Sequence, residues 1–391
     1  MSPRRLLVAT DEMEVGGSQR QISYLLAGLD RARWQPELVF FRKPSFLVDE
    51  LRALGIVVHH VPKRRRVDLR FLREYAALLR RGRYDLVHAF SLTAELWTLL
   101  AGATARHRPP LVASVRGLYL DQSKLFWTLK RQVLVRSTAV IANARAGALA
   151  AARLSDLPAT RFSVIPNGMR FAERCLPAAS AQLRANLGVP EGRTFGLFVG
   201  RLVKEKNLPC LVDALAGMPS TSRPWMALAG DGPLRADIEA RRDAAGLRAD
   251  MRLLGERDDV AQLMQAADFL VLPSSLEGMS NVLMEAMSLG CPVVASAVGG
   301  NPELVEDGAS GLLFPGGDAE ALSVQLQRIA TDPALRARLA ARAERHVRER
   351  YSIAGLVAST TAVYDRCLSP RQPSPMVVAR AAAADAPGEK A

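Results

Sequence analysis

The chain has 391 residues, which is too long for one ordinary core, so we expect two domains. Hydrophobic residues make up 49% and charged residues 23%, a composition typical of a globular protein. No uncharged apolar run reaches 18 residues, and the run at residues 6–9 is too short for a signal-peptide core, so we expect neither a spanning helix nor a secretory leader. The cysteines are Cys175, Cys210, Cys291 and Cys367. Their spacing matches no metal site, so we expect free thiols in the reducing cytoplasm.

Positive charge is concentrated in the first part of the chain. Residues 1–170 hold 28 Lys+Arg and 13 Asp+Glu, a net of +15, and the rest holds 24 and 26, a net of −2, which together give +13. This imbalance indicates an anionic partner, either nucleic acid or a membrane surface. The basic run 63–66 precedes an apolar helical pattern over 67–83, which is typical of an interfacial helix and equally of a helix packed on a sheet. Without zinc spacing, an aromatic platform or a recognition helix, we expect an anionic membrane surface and no nucleic acid.

Short apolar runs alternate with helical patterns in the first half of the chain. The strands are predicted at 5–10, 37–41, 57–59, 86–88, 111–115, 139–142 and 163–165, and the helices at 18–29, 46–54, 69–81, 93–103 and 124–135. Most of these strands are apolar on both faces, as in parallel sheets covered by helices on each side. The pattern predicts an α/β domain over 1–170 with a doubly wound sheet.

Residues 171–193, rich in Pro, Gly and small residues, are predicted to form a linker with a short helix. A second α/β domain is predicted over 194–350. Its strands are expected at 195–199, 226–229, 251–254, 269–272 and 293–295, and its helices near 208–216, 234–245, 260–265, 282–288, 319–329 and 333–349. We expect a C-terminal helix over 351–368 to pack back on the first domain, and a disordered tail over 369–391. Two such domains place a ligand cleft between the carboxyl ends of their sheets.

The most informative segment runs from residue 273 to 287. An apolar strand ends, a Gly-containing loop carries Glu277, and a helix starting near Ser280 carries Glu285 more than a turn from its beginning. The loop amides and the helix N-terminus suit a diphosphate, a helix carboxylate can accept both ribose hydroxyls, and a loop carboxylate can hold sugar hydroxyls. The spacing alone is also typical of one solvated helix residue and one turn residue.

The flanking residues carry a family resemblance. The stretch from Glu277 to Glu285, followed by Gly-Cys-Pro-Val-Val-Ala at 290–295, resembles the E-x7-E region of the retaining glycosyltransferases of family 4. Segments 199–207, 229–234, 164–168 and 15–18 are similar to other motifs of that family, in the same order, and the resemblance covers about residues 5 to 367. It implies the GT-B fold, in which two Rossmann-like doubly wound domains face each other across a cleft. The first domain would bind the acceptor and the second the nucleotide-sugar donor.

Two cations and two glycines gain roles from this resemblance. Arg201 and Lys206 follow a strand and would neutralise a departing diphosphate without a metal, although surface cations could look the same. Gly16 and Gly17 lie in the first strand-to-helix turn, where glycine lets the backbone approach a phosphate, although a plain tight turn would also use them. Arg257 is a further donor-site candidate, and an ordinary exposed loop arginine is the alternative.

The remaining candidates hold the sugar or face the acceptor. The groups expected to hold the transferred sugar are Glu277 and the amides of Gly278, Met279, Ser280 and Asn281. His88 is expected to end a strand at the cleft edge, where it would orient a substrate or relay a proton, or else pack at the strand end. Arg116 stands where many relatives carry His; it cannot act as a base at neutral pH and would hold a phosphate or an acceptor hydroxyl.

The resemblance implies transfer of a sugar from a nucleotide-diphospho-sugar to a glycan or polyprenyl-diphosphate-linked acceptor, with retention at the anomeric carbon. This activity fits the synthesis of exopolysaccharide, lipopolysaccharide or capsule by a cytoplasmic protein peripheral on the membrane's inner face. No Asp-x-Asp motif precedes the donor site, so we expect no metal and no other cofactor. A sugar-nucleotide 2-epimerase and a non-catalytic nucleotide-sugar-binding protein stay open as alternatives. A dinucleotide oxidoreductase would need G-x-G-x-x-G, which residues 16–21 lack.

Overall fold

The computed structural model describes residues 2–65, 67–103, 108–120, 122–171 and 176–369. Arg66 of the basic run, Cys175 and the tail from residue 370 lie outside this part. The described residues form two parallel α/β sheets in succession, one with strand order β3-β2-β1-β4-β5-β6-β7 and one with order β10-β9-β8-β11-β12-β13. The expectation of two Rossmann-like doubly wound domains is confirmed.

The central strands of the first sheet are almost entirely buried, and its two edge strands are more exposed. Its elements are β1 (Arg4–Thr10), α1 (Gly17–Gly28), β2 (Trp34–Phe40), α2 (Phe46–Ala53), β3 (Val57–His60), α3 (Leu69–Gly82), β4 (Leu86–Ala89), α4 (Leu92–Gly102), β5 (Leu111–Val115), α5 (Lys124–Arg136), β6 (Ala139–Ala142), α6 (Arg145–Ser155) and β7 (Phe162–Val164). Ser or Asp side chains cap α2, α3, α4 and α5 by accepting from an amide of the first turn. Each of these helices follows the carboxyl end of a strand, the edge of the sheet at which the fold predicts a cleft.

The second sheet repeats the arrangement, again with helices between its strands. Its elements are α7 (Pro177–Leu187), β8 (Phe195–Val199), α8 (Leu208–Ala216), β9 (Trp225–Ala229), α9 (Arg235–Ala244), β10 (Met251–Gly255), α10 (Val260–Ala266), β11 (Phe269–Leu272), α11 (Asn281–Ser288), β12 (Val293–Ser296), α12 (Asn301–Leu304), β13 (Leu312–Phe314), α13 (Ala319–Thr331) and α14 (Pro333–Arg350). Helix α7, expected within the linker, packs against α10 and contributes Leu187 to the second core.

The last helix, α15 (Ile353–Leu368), returns to the first domain. Leu356, Val363 and Tyr364 join the hydrophobic cluster of the first sheet, and the helix packs against α1. The amide of Met169 donates to the carbonyl of Tyr351 at 2.9 Å, so the two chain segments that link the domains run side by side. None of the described helices is both long and apolar enough to cross a membrane. Three cysteines are free thiols, namely Cys210, Cys291 and Cys367.

Candidate active site

The carboxyl ends of β8 and β11 bring a cation and a carboxylate together. Lys206 lies in a 3-10 turn after β8, and its Nζ forms an ion pair with Oε1 of Glu277 in the loop after β11. Ser274 donates its hydroxyl to the same carboxylate oxygen at 2.8 Å. Arg201 lies exposed in the β8 loop, and no ion pair is found for it within the described residues. The two strand ends therefore hold a fixed carboxylate beside Lys206.

The start of α11 presents amide groups that the described part of the chain does not use. The Ser280 hydroxyl caps the helix by accepting from the Leu283 amide at 3.4 Å. No described acceptor lies within hydrogen-bond distance of the amides of residues 278–282. The positive end of a helix with unpaired amides is suited to binding an anion such as a phosphate.

The glycine turn of the first domain faces the start of α11. Gly16 precedes α1, and the carbonyl of Gly17 accepts from Nδ2 of Asn281 at 3.2 Å. A Cβ atom on Gly17 would lie 3.2 Å from the same nitrogen. A side chain at this position would crowd the Asn281 amide, which would have to shift by a few tenths of an ångström, so a glycine suits this contact between the domains.

Asn167, which the sequence did not mark as a functional residue, joins the domains. Its Nδ2 donates to Oδ1 of Asn281 at 2.7 Å and to the carbonyl of Met279 at 3.3 Å. Its Oδ1 accepts from Nη2 of Arg116 at 2.7 Å. Next to it, the amide of Gly168 donates to Oε1 of Gln21 at 2.9 Å. The only signal in the sequence was the Pro-Asn-Gly segment at 166–168.

Glu285 faces the first domain rather than the two cations. It lines a narrow crevice with Arg20, Tyr24 and Arg170. Burial raises the pKa of its carboxyl, and the charge of Arg20 opposes this shift. The crevice volume is about 10 Å³, which is room for roughly one water molecule. The crevice as it stands is too small for a ribose, so a ribose beside Glu285 would have to displace side chains that line it.

The expectation that His88 reaches the cleft edge is wrong. The residue lies buried inside β4, with Nδ1 2.6 Å from the Tyr364 hydroxyl and Nε2 2.9 Å from the Ser114 hydroxyl. Burial, assisted by the charge of Arg116, lowers the pKa of His88 to about 3. A neutral imidazole with both nitrogens engaged does not serve a substrate as a proton relay. Its neighbours come from β5 and α15, which no local pattern reveals.

Arg257, predicted as a donor-site arginine, is already paired in the loop after β10. Its Nε and Nη2 atoms contact the Asp259 carboxylate at 2.8 and 2.6 Å. This bidentate pair occupies the guanidinium fork, so the structure favours the alternative of an ordinary loop arginine. Among the described residues, no group of three His, Cys, Asp or Glu side chains is placed to hold a metal ion.

Comparison with known proteins assigns both halves of the chain. Residues 15–172 match the family described as Glycosyltransferase Family 4, and residues 180–346 match Glycosyl transferases group 1. The chain is 30% identical to the 2-deoxystreptamine glucosyltransferase of Streptomyces kanamyceticus, over 82% of this chain and 87% of that one. It is 27% identical to an uncharacterised glycosyltransferase of Methanocaldococcus jannaschii, over 72% and 75% of the two chains.

Solved structures give the same fold. The HepE protein of Anabaena in complex with UDP-glucose superposes with a TM-score of 0.83 at 24% identity, covering 92% of this chain and 99% of that one. Two parallel α/β sheets with a cleft between their carboxyl ends, matching this structure, define a protein of the GT-B fold. The chain belongs to the glycosyltransferases of group 1 and family 4.

Proposed function

We propose that the chain transfers a sugar from a nucleotide-diphospho-sugar to a glycan or lipid-linked acceptor with retention at the anomeric carbon. One observation carries the proposal: the Lys206–Glu277 pair adjoins the unpaired amides of the α11 start, beneath the glycine turn of the other domain. This arrangement combines an anion cradle with a carboxylate that can hold sugar hydroxyls. HepE of Anabaena was solved with UDP-glucose, which supports a nucleotide-sugar donor.

Each side chain then has a role set by its chemistry. Arg201 and Lys206 stabilise the negative charge that develops on the departing diphosphate. The ammonium of Lys206 has three donors, so it can contact Glu277 and a phosphate oxygen together. Glu285 takes the ribose hydroxyls after the domains separate to admit the donor.

Retention is proposed to proceed by attack on the same face as the leaving group. Glu277 is held by Lys206 and Ser274, which makes its carboxylate a poor nucleophile for a covalent intermediate. The acceptor oxygen would bond to the anomeric carbon as the bond to the diphosphate breaks. The acceptor proton would pass to the leaving diphosphate oxygen. No metal is proposed, because Arg201 and Lys206 supply the positive charge.

A large apolar trough in the first domain supports a lipid-linked acceptor and attachment to an anionic membrane. It has a volume of about 1570 Å³, and residues of α4, among them Leu96, Trp97 and Leu100, form part of its lining. The cations on its lining are Arg42, Lys63, Arg64, Arg65, Arg108 and Arg136. Apolar lining with cations is the chemistry that a lipid diphosphate or an anionic headgroup requires. We therefore propose a role in the synthesis of exopolysaccharide, lipopolysaccharide or capsule at the cytoplasmic membrane.

A thermal-shift screen with UDP-, GDP- and ADP-sugars tests donor binding, because a ligand of the native state raises the unfolding temperature. Transfer is then measured with the stabilising donor, with and without EDTA. Lys206→Ala and Glu285→Ala should abolish transfer without unfolding the chain, while Lys204→Ala, in the same turn, should keep it. Full activity in either of the first two variants would refute the site, and donor isomerisation without acceptor would instead indicate an epimerase.

A further inference from the structure

Arg116 is a partly enclosed cation with no carboxylate partner among the described residues. It follows β5 at the cleft, and its Nη2 donates to the Asn167 side chain. The guanidinium carbon lies 5.6 Å from the centre of the Phe90 ring, and the buried Nε has no acceptor in the described part of the chain. Within the described residues, no carboxylate forms an ion pair with it. Burial lowers the pKa of Arg116 to about 10, so the side chain keeps its charge at neutral pH.

The nearby Lys130 shows how this domain satisfies a buried cation that serves structure alone. Its ammonium lies 2.7 and 2.6 Å from the two oxygens of Glu95 and 2.8 Å from the carbonyl of Ser114. Removing a cation from water costs free energy that such a partner offsets. Arg116 lacks an equivalent, and the adjacent His88 is neutral.

The position of Arg116 suggests where its counter-charge comes from. A Cβ atom on Gly278 would lie 2.7 Å from the carbonyl oxygen of Arg116, so the residue adjoins the loop proposed to hold the sugar. Asn167 links its guanidinium to Asn281 at the start of α11. The guanidinium thus lies at the boundary between the two domains, where donor and acceptor would meet.

We propose that Arg116 binds an anionic group of a substrate, a carboxylate or a phosphate, which supplies the missing negative charge. The inference rests on the proposed function, because that function makes the cleft the place where substrates meet. The planar fork of arginine recognises either oxyanion through two parallel hydrogen bonds. The anion has two possible sources, namely a uronic acid as the transferred sugar or a phosphate on the acceptor.

Binding measurements with matched probes distinguish these sources. In the donor arm, calorimetry compares UDP-glucuronate with UDP-glucose and GDP-mannuronate with GDP-mannose. In the acceptor arm, inorganic phosphate is titrated into the protein saturated with UDP or GDP. The wild type should either bind a uronate donor about 10- to 100-fold more tightly than its neutral counterpart or bind phosphate in the acceptor arm. A hydrogen bond to a charged group changes binding affinity by about this factor.

Variants separate recognition from a structural role. Arg116→Gln should lose the preference for the anionic probe while UDP or GDP still binds, and Arg116→Lys should keep part of it. If Arg116→Gln does not fold, Arg116→Lys serves as the test, and it should lose part of the preference for the anionic probe. Arg70→Gln, the same change on the exposed face of α3, should leave the preference intact. The inference is overturned if the wild type shows no anionic preference in either arm, or if Arg116→Gln keeps it. Failure of UDP, GDP and ADP alike to bind would instead refute the proposed function.

Discussion

The carboxylate of Glu303 in the second domain accepts a hydrogen bond from the amide of Ala146 in the first, at 2.8 Å. Its other oxygen accepts from the amide of Arg145 at the same distance. These amides are the first of α6, whose N-cap residue, Ala144, has no side chain that could cap it. The second domain thus supplies the cap of a first-domain helix, and this contact exists only while the domains are close together.

Glu303→Ala should weaken the closed arrangement and the start of α6. Loss of an N-cap acceptor costs about 1 kcal/mol, and the favourable charge at the helix N-terminus is lost with it. We expect a small fall in unfolding temperature and a several-fold fall in kcat, because closure precedes transfer. Calorimetry and steady-state kinetics measure both. Glu303→Gln keeps one acceptor, so its unfolding temperature and kcat should lie between those of the wild type and Glu303→Ala. An unchanged kcat in Glu303→Ala would show that this contact does not limit closure.

The α6 helix also shows which features of the fold could not be predicted from the sequence. Strands β5, β6, β8 and β11 were predicted with their exact bounds, because buried parallel strands are apolar on both faces and need no distant information. No local start signal precedes α6, since its cap lies 158 residues away. Strand β13, a run of three residues, was not predicted.

Part of the candidate site could likewise be predicted from the sequence, and part could not. Lys206 and Glu277 each follow a predicted strand, and the carboxyl ends of neighbouring parallel strands meet, so their proximity was predictable. The contacts between groups of the two different domains could not be predicted. The pairing of Asn167 with Asn281 and the burial of His88 under Tyr364 depend on contacts 114 and 276 residues apart in the chain.

Gly278→Ala should impair transfer more than stability. The added Cβ would lie 2.7 Å from the carbonyl oxygen of Arg116, a backbone atom of the other domain that cannot rotate away. Each domain can still fold, but their approach is blocked, so we expect kcat to fall at least tenfold with little change in unfolding temperature. Gly102→Ala is the matched control, because no atom of the described residues lies within 4 Å of its Cβ position. A tenfold loss in that control, or none in Gly278→Ala, would contradict the explanation.

The buried His88 should make the protein acid-sensitive. Its pKa in the folded chain is about 3, below the ordinary 6.5, so the unfolded chain binds the extra proton as the pH falls through 6.5. Stability contributed by the neutral imidazole is complete above pH 6.5 and is lost progressively down to about pH 3, at up to about 1.4 kcal/mol per pH unit. Urea unfolding at several pH values measures this slope. His88→Gln cannot titrate and should give a shallower slope; parallel curves would assign the acid sensitivity to other groups.

The apolar trough of the first domain should direct the chain to anionic membranes. Arg64 and Arg65 line it beside the apolar residues of α4, so reversing their charge should weaken binding to vesicles that contain phosphatidylglycerol. About 1 kcal/mol per cation near the surface corresponds to roughly a 30-fold loss for two neutralised charges, and charge reversal should exceed it. Vesicle co-sedimentation gives the partition coefficient, with phosphatidylcholine vesicles as the uncharged comparison. The matched control reverses Arg338 and Arg345, two exposed arginines on α14 of the second domain. Equal losses in both double variants would mean that net charge, rather than the trough, governs binding, and activity on a water-soluble acceptor should survive in either.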